Sequence, residues 1–168
     1  MTAALHIRPA QLADIPALIA LANVVWRTHY PGIITEAQID YMLARGYAPD
    51  ALAGFIGSGD SGIDLAYVGE ALAGFAAWML VAGARELKLD KLYVDPARQR
   101  AGIGGALIER VVGHARERSR DVVILNVNKG NTGAIAAYRR HGFAVREAVV
   151  IDIGGGFVMD DYVMQRTV

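Results

Sequence analysis

The sequence has no cysteine among its 168 residues. This removes disulfides, thiolate metal sites and thiol nucleophiles together. Neither sign of charge is in excess, because 17 Lys and Arg balance 17 Asp and Glu. Nucleic acid and anionic membranes are thus poor main partners, since phosphate-backbone binding draws on a basic excess. No apolar run approaches the roughly 18 residues of a membrane span; the longest, 71–82, is broken by Gly74. The opening Met-Thr-Ala-Ala-Leu-His-Ile-Arg-Pro lacks the apolar centre of a secretion signal. We expect a cytoplasmic protein with no metal site, and the sequence leaves a homodimer open.

What is present is a globular composition, 54% apolar, with periodic patterns along the whole chain. A strand is expected at 5–8. A helix follows at 14–27, N-capped by Asp14, with Leu12, Ile15, Leu18, Ile19, Ala22, Val25 and Trp26 on its apolar face. Thr35-Glu36-Ala37-Gln38 resembles a capping box for a helix over 35–44, and a short helix is expected at 49–56. The period then changes. Strands at 63–68 and 72–81 form a hairpin at Gly69-Glu70-Ala71, and a third strand spans 86–94. Ile103, Leu107, Val111 and Ala115 recur every four residues, giving a helix at 102–118. A strand at 122–127, a helix at 131–140 stopped by Gly142, and strands at 143–153 and 161–165 complete the chain. This order predicts a single α/β (α+β) domain over 1–168, with a mixed central sheet flanked by helices.

The chemistry concentrates in 92–108, where a strand-like run ends at Asp95-Pro96 and a glycine-rich turn opens into a helix. Free N–H groups and the partial positive charge of a helix start suit a phosphate or pyrophosphate. No lysine follows the glycines, so a Walker A loop fails. Glycines at 102, 104 and 105 do not give the dinucleotide spacing either. Gln99-Arg100-Ala101-Gly102-Ile103-Gly104 instead resembles the acyl-CoA loop of the GNAT superfamily of N-acyltransferases. The segment 125–143 is similar to that family's strand, then Asn131-x-x-Ala134-x-x-x-Tyr138, then Gly142-Phe143. Trp26-x-x-x-Tyr30-Pro31-Gly32 looks like the start of bacterial members related to polyamine acetyltransferases.

The resemblance implies acetyl-CoA as co-substrate and an N-acetyltransferase acting on the primary amine of a small molecule by direct attack in a ternary complex. It places Gln99, Arg100, Ala101, Gly102, Ile103, Gly104 and Gly105 around the pyrophosphate. Leu92, Tyr93 and Val94 lie along the pantetheine arm, Asn131 beside the cofactor, and Tyr138 where the general acid stands. Many relatives carry a glutamate as base on the strand before the loop; the matching position here is Lys88. Glu86, two residues earlier and on the same face, is the candidate base, with pairing to Lys88 as its structural alternative. Trp26 and Tyr30 are candidates for holding the amine by cation–π contact, or are core residues. Asp152, Asp160, Asp161 and Tyr162 read as turn residues around Gly154–Gly156 or as amine ligands, and the histidines at 6, 114 and 141 need no role. Two other readings stand beside this one: a non-catalytic acyl-CoA sensor, which Lys88 favours, and a different nucleotide-phosphate binder.

Overall fold

The computed structural model describes residues 3–168. The expected element order is observed: β1 (Leu5–Pro9), α1 (Ile15–His29), α2 (Glu36–Gly46), α3 (Pro49–Ala53), β2 (Ser61–Val68), β3 (Ala71–Leu80), β4 (Glu86–Val94), α4 (Ile103–Glu117), β5 (Val122–Asn128), α5 (Thr132–Arg140), β6 (Ala144–Gly154) and β7 (Phe157–Thr167). One seven-stranded sheet runs β1-β2-β3-β4-β5-β7-β6. Among the described residues the β4–β5 pair is the only parallel one in this sheet, and the α4 crossover makes that possible.

Strand alternation divides the core into two layers. On one face Leu87, Leu89, Val123, Leu125 and Met164 pack under α4, whose Ile103, Leu107, Val111 and Ala115 are all buried. On the other face Leu65, Phe75 and Ala77 pack under α1 and α2. The apolar stripe of α1 is shifted from the expected one. Leu12 is exposed because it lies in a 3-10 turn before the helix, and Leu21 takes a buried place instead. Asp14 does not bond the α1 amides. Its carboxylate pairs with Arg8 at 2.8 Å and accepts from the Gln11 N–H at 2.8 Å, which tie the turn to β1; the Arg8 pair foremost, then the Gln11 bond, hold its pKa down to about 2. Thr35 caps α2, accepting from the Gln38 N–H, but the expected capping box is half formed, because the Gln38 side chain donates to the Val158 carbonyl at 2.9 Å and not back to Thr35.

Two side-chain contacts fix distant elements. The His114 imidazole on α4 meets the buried Asp64 of β2 at 2.8 Å, stacked on Trp78 at 4.5 Å, so this histidine is a fastener. At the far edge, Gly154, Gly155 and Gly156 all have positive φ in the β6–β7 turn. Asp152 accepts from the Gly154 N–H there, and the Tyr41 hydroxyl of α2 donates to the Ile153 carbonyl at 2.6 Å. The β7 strand starts well before the expected residue 161, so Asp160, Asp161 and Tyr162 are strand residues.

Candidate active site

The β4–β5 ladder ends at Leu89 and Leu125, while β5 continues along β7 to Asn128. From Asp90 onward β4 remains paired to β3 only, so its β5-facing edge is open. The register against β3 slips between Ala77 and Trp78, opposite Lys91 and Leu89, which makes Asp90 the extra residue of a bulge. A bulge bends and twists its strand, which accounts for the two strands parting here. It also reverses the alternation. Glu86, Lys88 and Asp90 face α1 and α2, and beyond the bulge Tyr93 takes that face while Leu92 and Val94 turn toward α4.

The wedge between the parted strands is the mouth of a cavity of about 1080 Å³. It contains Leu92, Tyr93, Val94, Gln99, Arg100, Gly102, Ile103, Gly104, Gly105, Asn131, Tyr138, Trp26 and Tyr30 in its lining; Ala101 and Glu86 do not line it. At one end the loop before α4 places Arg100 and Gly102 at φ 66° and 77°. The first helical bond runs from Ala106 N–H to the Gly102 carbonyl. The amides of Ile103, Gly104 and Gly105 therefore have no acceptor within the helix and are available to an anion. The donor set fits a pyrophosphate: backbone amides at a helix start, beside an open strand edge that can accept an extended arm. Gly105 serves packing, since a Cβ there would lie 2.7 Å from the His141 ring. At Gly102 the positive φ is the constraint. We expect Gly102→Val to cost about 1–2 kcal/mol of loop strain, read in calorimetry as a roughly 5- to 30-fold weaker acetyl-CoA affinity. Unchanged affinity contradicts this reading of the loop.

On the α1 side the aromatic residues both pack and line. Trp26 stacks on Tyr30 at 4.2 Å and donates to the Tyr47 hydroxyl at 3.3 Å; the Tyr30 and Tyr93 hydroxyls meet at 3.0 Å. His29 Nε2 lies 2.9 Å from Asn131 Oδ1, which also accepts from the Ala134 N–H to cap α5. Tyr138 packs edge-on against Phe143, and burial, then the nearby Tyr30, push its phenol well above the usual range. It is neutral throughout the working pH range.

The acidic groups are placed differently from expectation. Glu86 is joined at 2.6 Å to Arg146 of β6, not to Lys88, and lies outside the cavity. Its face was correctly read from alternation, but its partner is 60 residues away. Lys88 and Asp90 do line the cavity, 3.8 Å apart, with Asp90 also held by Lys91 at 2.9 Å. Asp161 lines it too. It is fully buried, and neither carboxylate oxygen has a hydrogen-bond partner within 3.5 Å, the Asn126 side chain offering at most a long, weak contact. Burial, then Asp160, raise its pKa to about 6, while Lys88, Asn126 and Lys129 favour the anion. Among the described residues no cluster of His, Cys, Asp or Glu is arranged to hold a metal, and no helix is long and apolar enough to cross a membrane.

Comparison with known proteins agrees with this geometry. The family model for the acetyltransferase (GNAT) family matches residues 21–143. The chain is 25% identical over 160 residues to the spermidine N(1)-acetyltransferase of Thermoplasma acidophilum, covering 93% of this chain and 96% of that protein. It is 24% identical over 147 residues to an L-methionine sulfoximine/L-methionine sulfone acetyltransferase of Pseudomonas aeruginosa, covering 83% and 80%. In fold it resembles the PaiA N-acetyltransferase of Thermoplasma acidophilum, solved in complex with coenzyme A, with a TM-score of 0.84 and 23% identity over 98% of this chain and 99% of that one. The parted strands, the amide-lined loop and the match across most of the chain place this protein in the GNAT family of N-acetyltransferases, enzymes whose co-substrate is acetyl-CoA.

Proposed function

We propose that the protein acetylates the primary amine of a small molecule by direct attack on acetyl-CoA within a ternary complex. The observation that carries this is continuity: one cavity runs from the amide loop, along the open edge of β4, to the α1 and α2 wall. Donor and acceptor then share a single space, and no cysteine is needed to relay the acyl group. The amides of 103–105 hold the pyrophosphate, with Gln99, Arg100 and Ala101 shaping the loop. The pantetheine arm extends β4 as an added strand against Leu92, Tyr93 and Val94. A backbone N–H of that open edge polarises the thioester carbonyl. Tyr138, held neutral by burial, supplies a proton to the departing thiolate. Asn131 fixes the start of α5 beside the arm, and the π-electron density of Trp26 and Tyr30, which line the wall, favours a cationic amine.

The two curated relatives are named for small amines, spermidine in one and a methionine derivative in the other, which supports a small acceptor. The chain works, in this reading, as one cytoplasmic domain without nucleic-acid or membrane partners. Exposed Val150 and Val158, on the face of the β6–β7 hairpin away from the cavity, support a homodimer. A second reading, a non-catalytic acyl-CoA sensor, is favoured by Lys88 at the family's base position and by Glu86 being bound to Arg146. Thiol release from acetyl-CoA with a panel of amines separates the two. Turnover with at least one primary amine is expected; tight acetyl-CoA binding without turnover on any amine establishes the sensor.

A further inference from the structure

We propose that Asp161 is the seat for the acceptor's ammonium group and the base that takes its proton, a role resting on the acetyltransferase reading above. A buried carboxylate with both oxygens unpartnered is rare, because each unmet acceptor carries a desolvation cost. Here the oxygens belong to a residue that lines the cavity. Asp161 lies opposite Asn128 of β5 and Val149 of β6, on the same sheet face as Asn126 and Lys88. That face is the acceptor side, under α1 and α2. The charged and titratable groups near it are Lys88 of β4, Lys129 after β5, Asp160 on its own strand and Tyr30 of α1; β6 offers only Val149 at that position. Lys129 is taken by Asp160 at 2.7 Å. Tyr30 lines the same cavity as Asp161 and Tyr138 and is near enough to both for their charges to interact. Met159, Ile151 and Ile153 line the cavity from the same hairpin, so the amine sits at the end of an aliphatic arm.

The step balances as follows. Asp161 takes one proton from the ammonium, and the freed lone pair forms a C–N bond to the thioester carbonyl carbon. The C–S bond breaks, the thiolate takes the Tyr138 proton, and the tyrosinate is reprotonated from the new amide nitrogen. Asp161 then returns its proton to solvent. Burial brings the carboxyl closer in basicity to an alkylammonium than an exposed aspartate, and it is ionised above about pH 6.

The test compares wild type with Asp161→Asn in thiol release with spermidine, L-methionine sulfone and L-alanine, alongside acetyl-CoA titration and melting curves. We expect kcat/KM for the accepted amine to fall about 100-fold or more, the acid limb near pH 6 to disappear, and activity to recover as pH rises. Acetyl-CoA affinity should stay within about twofold, and the melting temperature at pH 7.5 should hold or rise. The last sign follows from linkage: a carboxyl raised in the folded state favours folding less as pH climbs past its ordinary value toward 6, and the amide removes that loss. A variant within about threefold of wild type, with the acid limb intact, overturns the proposal. If wild type binds acetyl-CoA but turns over no amine, the enzymatic reading fails separately. The seat is then judged by titrating spermidine into each acetyl-CoA complex, where equal affinities overturn it.

Discussion

Tyr138→Phe should lower kcat by about 100- to 1,000-fold while leaving the KM for acetyl-CoA nearly unchanged. The substitution deletes one oxygen and keeps the ring that packs against Phe143. Its loss therefore reports proton donation and little else. The sign of the pH dependence is fixed by the same burial. A phenol is the acid below its pKa, and this one is displaced well upward, so it stays protonated past pH 9. Any alkaline decline in the wild-type rate below that pH must come from another group. Steady-state kinetics across pH 6–9 check both statements. A Phe variant within threefold of wild type would remove Tyr138 from the acid role.

Asp64→Ala should cost about 3 kcal/mol of stability, the low end for removing one partner of a buried ionic contact. For a domain of this size that is a fall in melting temperature of roughly 6–12 °C. Asp64 is almost wholly buried, with His114 at 2.8 Å and Arg110 at 3.7 Å. Removing it leaves the stacked His114 without its acceptor and loosens the middle of α4 from β2. The more conservative Asp64→Asn keeps an acceptor oxygen and should lose less than half as much. Because Asp64 is not part of the donor cavity lining, acetyl-CoA affinity below the melting range should hold. Thermal unfolding of the three proteins tests this, and an Ala variant melting within 2 °C of wild type would contradict the fastening role.

The helices and the donor loop were legible because their signals are local. The four-residue spacing from Ile103 to Ala115 is a property of one helix, and all four side chains are buried as it demands. The glycine loop is likewise a contiguous pattern, and the bends that it needs, at Arg100 and Gly102, lie within it. What depends on pairing across the sheet was not legible. Glu86 was assigned to the correct face, yet only the folded sheet brings Arg146 against it and leaves it outside the cavity. His114 finds Asp64 50 residues back, with no spacing to announce it. Asp161 was legible only as one of two alternatives, an amine ligand or a turn residue. Two aspartates following three glycines read as a turn, whereas Phe157–Thr167 is one long strand that buries the second aspartate against the cavity. The bulge at Asp90 had the same effect on β4, since alternation alone cannot reveal where it reverses.

The donor site carries the rest of the account, and a calorimetric titration with acetyl-CoA, CoA, ATP and NAD tests it most directly. Acetyl-CoA and CoA should bind one per chain, with ATP and NAD at least about 100-fold weaker, because only CoA joins a pyrophosphate for the loop to an arm for the open edge of β4. Binding of ATP or NAD as tightly as acetyl-CoA, or no binding of acetyl-CoA at all, would contradict the site described.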